Sequence, residues 1–245
     1  MPFGDHAPVG HAPGPATRAM LSIPRDVIDD RVLARRICEA CAGGLGFDGA
    51  AISLLTGSPS RHTLWATDAT AQRLEDLQFG LNEGACMEAA ATGRPVLVGD
   101  LRTSPRTSRW PMFAAAVVEQ TDVGALFALP LQWGAVNLGV LDLYRRATGE
   151  LTAAQHRDAI GATDTASLMM LGLRTDPGGG DQLDPTVSSH AEIHQATGMV
   201  MVQLGVTATD ALARLRAYAF VQQRLLVDVG RDVVVHRLLF TEEMT

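Results

Sequence analysis

From position 174 to 185 the chain reads RTDPGGGDQLDP, a run dominated by proline, glycine and aspartate. No helix or strand passes through such a segment, because proline removes a backbone donor and glycine gives up conformational order. The run therefore forces two folding units, with the linker at 174–187. A length of 245 residues suits that division. The two sides also differ in pattern: strands alternate with helices before the linker, and only helical periodicity follows it.

Residues 1–26 are rich in Pro, Gly, His and Ala and show no periodicity. They are expected to form a structureless N-terminal arm. The first unit is expected over 27–173. Val32, Leu33, Ile37, Ala40 and Cys41 recur at helical spacing over 29–45, with an aspartate to start the helix and Gly43-Gly44 to end it. The apolar run 50–55 and the segment 62–67 read as a hairpin. A short helix over 68–77, a second over 85–91 and a strand over 95–98 follow, then a helix over 112–120. Residues 123–131 and 136–145 are strong strands joined by a hairpin-length connection. A long helix over 152–173 closes the unit and is the expected coupling element to the linker. This order predicts an α+β fold, an antiparallel sheet with helices on one face.

The second unit, 188–245, predicts three helices over 190–204, 208–222 and 226–239. Gly205 ends the first, and Thr207 or Thr209 caps the second. Such an all-α bundle of about 55 residues is marginal alone, which favours a homodimer or docking onto another surface.

Net charge is −7, so the chain is not a general polyanion binder. All 20 basic residues are arginine, so any cationic phosphate contact is made by a planar guanidinium. The second unit has five arginines against six acids, which makes any non-specific RNA affinity weak and salt-sensitive. No apolar stretch reaches membrane-spanning length and no secretory signal pattern opens the chain, so a cytoplasmic protein is expected. Three cysteines, an odd number in a chain of this size, argue against a disulfide scaffold.

The second unit resembles the ANTAR domain of bacterial transcription antiterminators. The residues that carry this are Ile193, Gln195-Ala196-Thr197-Gly198-Met199-Val200-Met201, Gly205, Ala211, Leu215-Arg216, Leu226 and Asp228-Val229. The resemblance implies binding of paired RNA stem-loops, one per protomer of a dimer, through His194, Gln195, Thr197, Gly198, Met201, Arg214 and Arg216. Gln195 suits a base edge, and Arg216 suits a phosphate or an unpaired base. Gly198 sits inside a helix at a cost of about 1 kcal/mol relative to alanine, through either close helix packing or a bare backbone open to RNA. Two positions depart from the family: Thr197 where lysine is frequent, and Gly230 where alanine is frequent.

The first unit resembles a GAF domain, on LNEGACMEAAATGRPVLVGDL (81–101) and VNLGVLDLYR (136–145). GAF domains serve many functions, so this implies a fold and a sensing role, answering a small molecule or a protein, but no particular ligand. Glu83, Cys86, Asp100 and Asp142 are the candidate pocket residues. A thiol-based redox sensor or a methionine sulfoxide reductase-like enzyme centred on Cys86 is the alternative. That chemistry needs a resolving thiol, and only Cys38 or Cys41 is available. Cys38 and Cys41, three apart on a helix, read as small core residues, with no second pair to complete a zinc site. His6, His11 and His62 have no ligand spacing. No Ser/His/Asp set, Walker loop or His-Glu-x-x-His is present. No enzyme activity, cofactor or metal is therefore expected. Trp65, Trp110 and Trp133 read as core or pocket walls.

Overall fold

The computed structural model describes residues 12–24, 29–55, 61–134, 136–175 and 191–241. Half of the arm and most of the linker lie outside them. The element order is α1 (Pro15–Leu21), α2 (Asp30–Leu45), β1 (Gly49–Leu55), β2 (Arg61–Ala66), α3 (Ala69–Leu81), α4 (Ala85–Thr92) and β3 (Val96–Val98). A 3-10 turn (Pro105–Arg109), α5 (Pro111–Gln120), β4 (Ala125–Trp133), β5 (Val136–Arg145) and α6 (Ala153–Thr175) complete the first unit. The second unit is α7 (Ala191–Leu204), α8 (Ala208–Val221) and α9 (Leu226–Val234).

The five strands form one sheet in the order β2-β1-β5-β4-β3, with every neighbouring pair antiparallel. Side chains alternate between faces along each strand. Ile52, Leu54, Phe127, Leu129, Leu141 and Leu143 point into one core, with α1, α2 and α6. Ala51, Leu126, Ala128, Val140 and Tyr144 point into a second core, with α3, α4 and α5. Helices thus cover both faces rather than one. The strands show why: β4 is buried from Ala125 through Leu131, and such a doubly apolar strand needs cover on each side.

The arm is also more ordered than its composition suggests. Pro15 opens α1, and Asp158 of α6 supplies the cap that the local sequence lacks. Its carboxylate accepts from Ala16 N at 2.9 Å, Thr17 N at 3.1 Å and Thr17 Oγ1 at 2.7 Å. Ala16, Thr17 and Met20 are buried against α2 and α6. Residues 1–11 lie outside the described residues.

Two helix ends differ from expectation. α3 continues past Gly80 to Leu81 and stops at Asn82, which adopts φ 54°. α9 ends at Val234, not 239. His236 turns left-handed at φ 57°, and the N–H groups of Arg237 and Leu238 both bond to the Asp232 carbonyl. The chain then folds back, so that Phe240 stacks edge-on against Tyr218 with its N–H on Gln203.

Candidate functional site

α7 carries most of the residues singled out for RNA contact. Gln195 and Gly198 are exposed, three apart on one face. A Cβ at Gly198 would meet no other atom within 4 Å, so internal packing does not require glycine there. Thr197 points the other way. It is buried, and its hydroxyl donates to the Ile193 carbonyl at 2.7 Å. This corrects its assignment to the contact face: one helical step turns it into the bundle core with Ala196 and Val200. Met201 is half-buried against that core. Gly230 has a packing reason, since a Cβ there would lie 3.2 Å from the Ile193 backbone where α9 crosses α7.

His194 and Arg216 are brought together with the first unit. The His194 ring lies 4.6 Å from that of His62 on β2, and 6.3 Å from that of Phe79 on α3. The Arg216 guanidinium sits over the Phe79 ring at 5.2 Å. Phe79 is buried and belongs to the core of the helical bundle, although it comes from the first unit. A Cβ at Gly80 would stand 3.6 Å from the Leu226 side chain. Arg214 is half-buried on α8, two residues from this contact.

The second core of the first unit holds a polar cluster. Asp142 on β5 lies on the face of Val140 and Tyr144, flanked across the sheet by Ala51 and Ala128. Cys86 enters from the first turn of α4 and Glu75 from α3. All three are buried, and one potential ligand atom from each lies within 4.8 Å of the others. Glu75 accepts from the hydroxyls of Ser53 and, at 3.1 Å, Thr63. Gln78 donates to Glu75 and accepts the Cys86 N–H at 2.7 Å. A narrow gap, too tight for a water molecule, adjoins Glu75 and Asp142.

Of the four expected pocket residues, Cys86 and Asp142 meet there, and Glu83 and Asp100 do not. Glu83 caps α5, accepting the N–H groups of Met112 at 2.9 Å and Phe113 at 3.1 Å. Asp100 closes a turn on Arg102 N and Thr103 Oγ1, and these bonds hold its carboxyl below the usual range. Glu75 was not singled out from the sequence. Of the three tryptophans, Trp110 is buried and Trp65 half-buried, but Trp133 sits exposed at the β4–β5 hairpin end.

The thiols are divided by the sheet. Cys38 and Cys41 lie in the first core and Cys86 in the second. Burial pushes both Cys38 and Cys41 well above the ordinary thiol range. Neither is presented to Cys86 as the resolving thiol that a sulfoxide reductase mechanism requires.

Residues 28–163, more than half of the chain, match the GAF domain family model. The chain belongs to the GAF domain family. Behind the GAF domain, residues 181–234 match the ANTAR domain model, so the three-helix bundle is an ANTAR domain. That pairing is typical of antitermination regulators, in which the ANTAR domain implies RNA binding and the GAF domain a sensing role. None of the curated proteins matches the chain. Among solved structures, the fold is similar to a domain of a two-component sensor histidine kinase protein from Sinorhizobium meliloti, at 13% identity and TM-score 0.51, over 63% of this chain and 99% of that one. It is also similar to the GAF domain of a phosphoenolpyruvate-protein phosphotransferase from Coxiella burnetii, at 11% identity and TM-score 0.50, over 66% of this chain and 92% of that one. At these identities the likeness concerns the fold of the GAF domain alone. No helix of the described residues is long and apolar enough to cross a membrane.

Proposed function

We propose that this protein is a signal-gated RNA-binding antitermination regulator whose GAF domain holds part of the ANTAR contact face covered until a signal arrives. The observation that carries the reading is the seat of Arg216 and His194 on Phe79 and His62. An arginine stacked on a buried phenylalanine is not free to grip a phosphate, while Gln195 and Gly198 on the same bundle stay exposed. Undocking frees a guanidinium and an imidazole beside a polar, bare-backbone helix face, a combination suited to the unstacked bases of a hairpin loop. In the released state two protomers pair, and each takes one stem-loop. An RNA partner places the protein in the cytoplasm. It acts as a binding regulator and not as an enzyme.

α3 makes contact with the ANTAR domain, beside His62 of β2. It supplies Phe79 and Gly80 to the bundle and Glu75 to the buried cluster. A change in the GAF interior therefore has a direct route to the RNA-binding domain along α3.

The test is an electrophoretic shift at low salt of the full-length protein and of Gly80→Gln against a pool of short RNA stem-loops. Gln195→Ala is made in both backgrounds. The reading expects hairpin shifts, stronger for Gly80→Gln and weakened by Gln195→Ala. It fails if neither protein shifts any hairpin at concentrations where the dimer forms.

A further inference from the structure

We infer that Glu75, Cys86 and Asp142 form a binding site for one divalent transition-metal ion of borderline softness, of the Zn²⁺ or Fe²⁺ class, inside the GAF domain. Three elements, α3, α4 and β5, each deliver one donor to a single buried point. An ion bound at about 2.3 Å by sulfur and about 2.0–2.2 Å by oxygen holds the neighbouring donors of a tetrahedral set roughly 3.5 Å apart. The donor atoms here lie within 4.8 Å of one another, so small side-chain movements close the set on one ion.

Glu75 is held in place by hydrogen bonds from Ser53, Thr63 and Gln78, and a cation between two carboxylates this close offsets their mutual repulsion. Gln78 fixes the geometry from behind, with its amide N–H on Glu75 and its oxygen on the Cys86 backbone, as outer hydrogen bonds do for metal ligands.

Asp142 stands between two alanines across the sheet, so the side chains beside it there are small. The thiol decides the class of ion: carboxylates alone suit Mg²⁺ or Ca²⁺, whereas a thiolate in the set selects a transition metal. On binding, the Cys86 S–H gives its proton to solvent and the sulfur takes up the metal. Three protein donors leave a position open for a small exogenous ligand.

The probe is Co²⁺, titrated into the chelator-treated full-length protein and followed by absorption. Expected is binding of one equivalent, with a sulfur-to-cobalt charge-transfer band in the near ultraviolet. Cys86→Ser abolishes that band. Asp142→Asn keeps the thiol and weakens binding by about tenfold or more, and it carries the test alone if Cys86→Ser does not fold. Cys38→Ser, in the opposite core, leaves spectrum and affinity unchanged. The inference is overturned if no cobalt binds, if the band persists in Cys86→Ser, or if Asp142→Asn binds as the parent does. Absorption reads the metal site without RNA, so this outcome is separate from the hairpin shift.

Discussion

The guanidinium of Arg216 lies 5.2 Å above the ring of Phe79, and the two residues belong to different domains. An arginine over an aromatic face gains roughly 0.5–2 kcal/mol, depending on how far the pair is desolvated. The contact is thus strong enough to bias domain docking and weak enough to be reversed by a ligand.

Gly80→Gln tests that bias. Any side chain at position 80 points toward Leu226 across the interface, and glutamine is a better helix former than glycine. The GAF domain should remain folded while the bundle is displaced. Hairpin affinity is expected to rise about tenfold, within the usual range of coupling energies. Amide exchange in α7–α9 should quicken in parallel. Unchanged exchange and affinity would place the docked arrangement outside the control of RNA binding.

Gly198→Ala separates packing from contact. The added methyl meets nothing, so helix propensity alone should stabilise the bundle by about 1 kcal/mol. A thermal melt is expected to rise while hairpin affinity falls, because the methyl covers backbone offered to RNA. A higher melting temperature with full RNA affinity would remove Gly198 from the contact face.

Asp158→Ala should release α1. The variant loses three hydrogen bonds at a buried site, a loss of about 2–3 kcal/mol. Urea unfolding is the check on stability. Trypsin cleavage after Arg18, slow in the parent, should become fast in the variant.

Tyr144 sets an alkaline limit. Burial, and then its hydrogen bond to Asp68, push its phenol from 10.0 up to about 12. The folded state prefers the protonated form, so this contribution is complete below pH 10 and is lost as pH rises through about 12. Ultraviolet titration should show one of the two tyrosines ionising late. Asp68→Asn should bring that step to lower pH.

Much of this architecture was legible in the sequence because it is local. The period of α2, the hairpin of β4 and β5, and the glycine stop after α7 each lie within a few neighbouring residues. What escaped depends on distant partners. α1 was hidden because the side chain that caps it, Asp158, stands more than 140 positions away. Cys86 and Asp142 stood out by residue type, but nothing in the chain order brings Glu75 to them. Thr197 shows the limit of motif reading. Its neighbours Gln195 and Gly198 face solvent, and a one-step rotation on the helix sends its hydroxyl back to the Ile193 carbonyl instead. Composition could not reveal that helices cover both sheet faces, although the unbroken burial of β4 carries that signal.

Glu75 and Phe79 are four residues apart on α3, which puts them about 6 Å apart along its axis and on nearly the same side. One residue ends in the buried cluster and the other in the core of the ANTAR domain. A helix turns as a rod, so its two ends have no independent freedom. An ion that drew Glu75 toward Asp142 would roll the platform on which Arg216 rests.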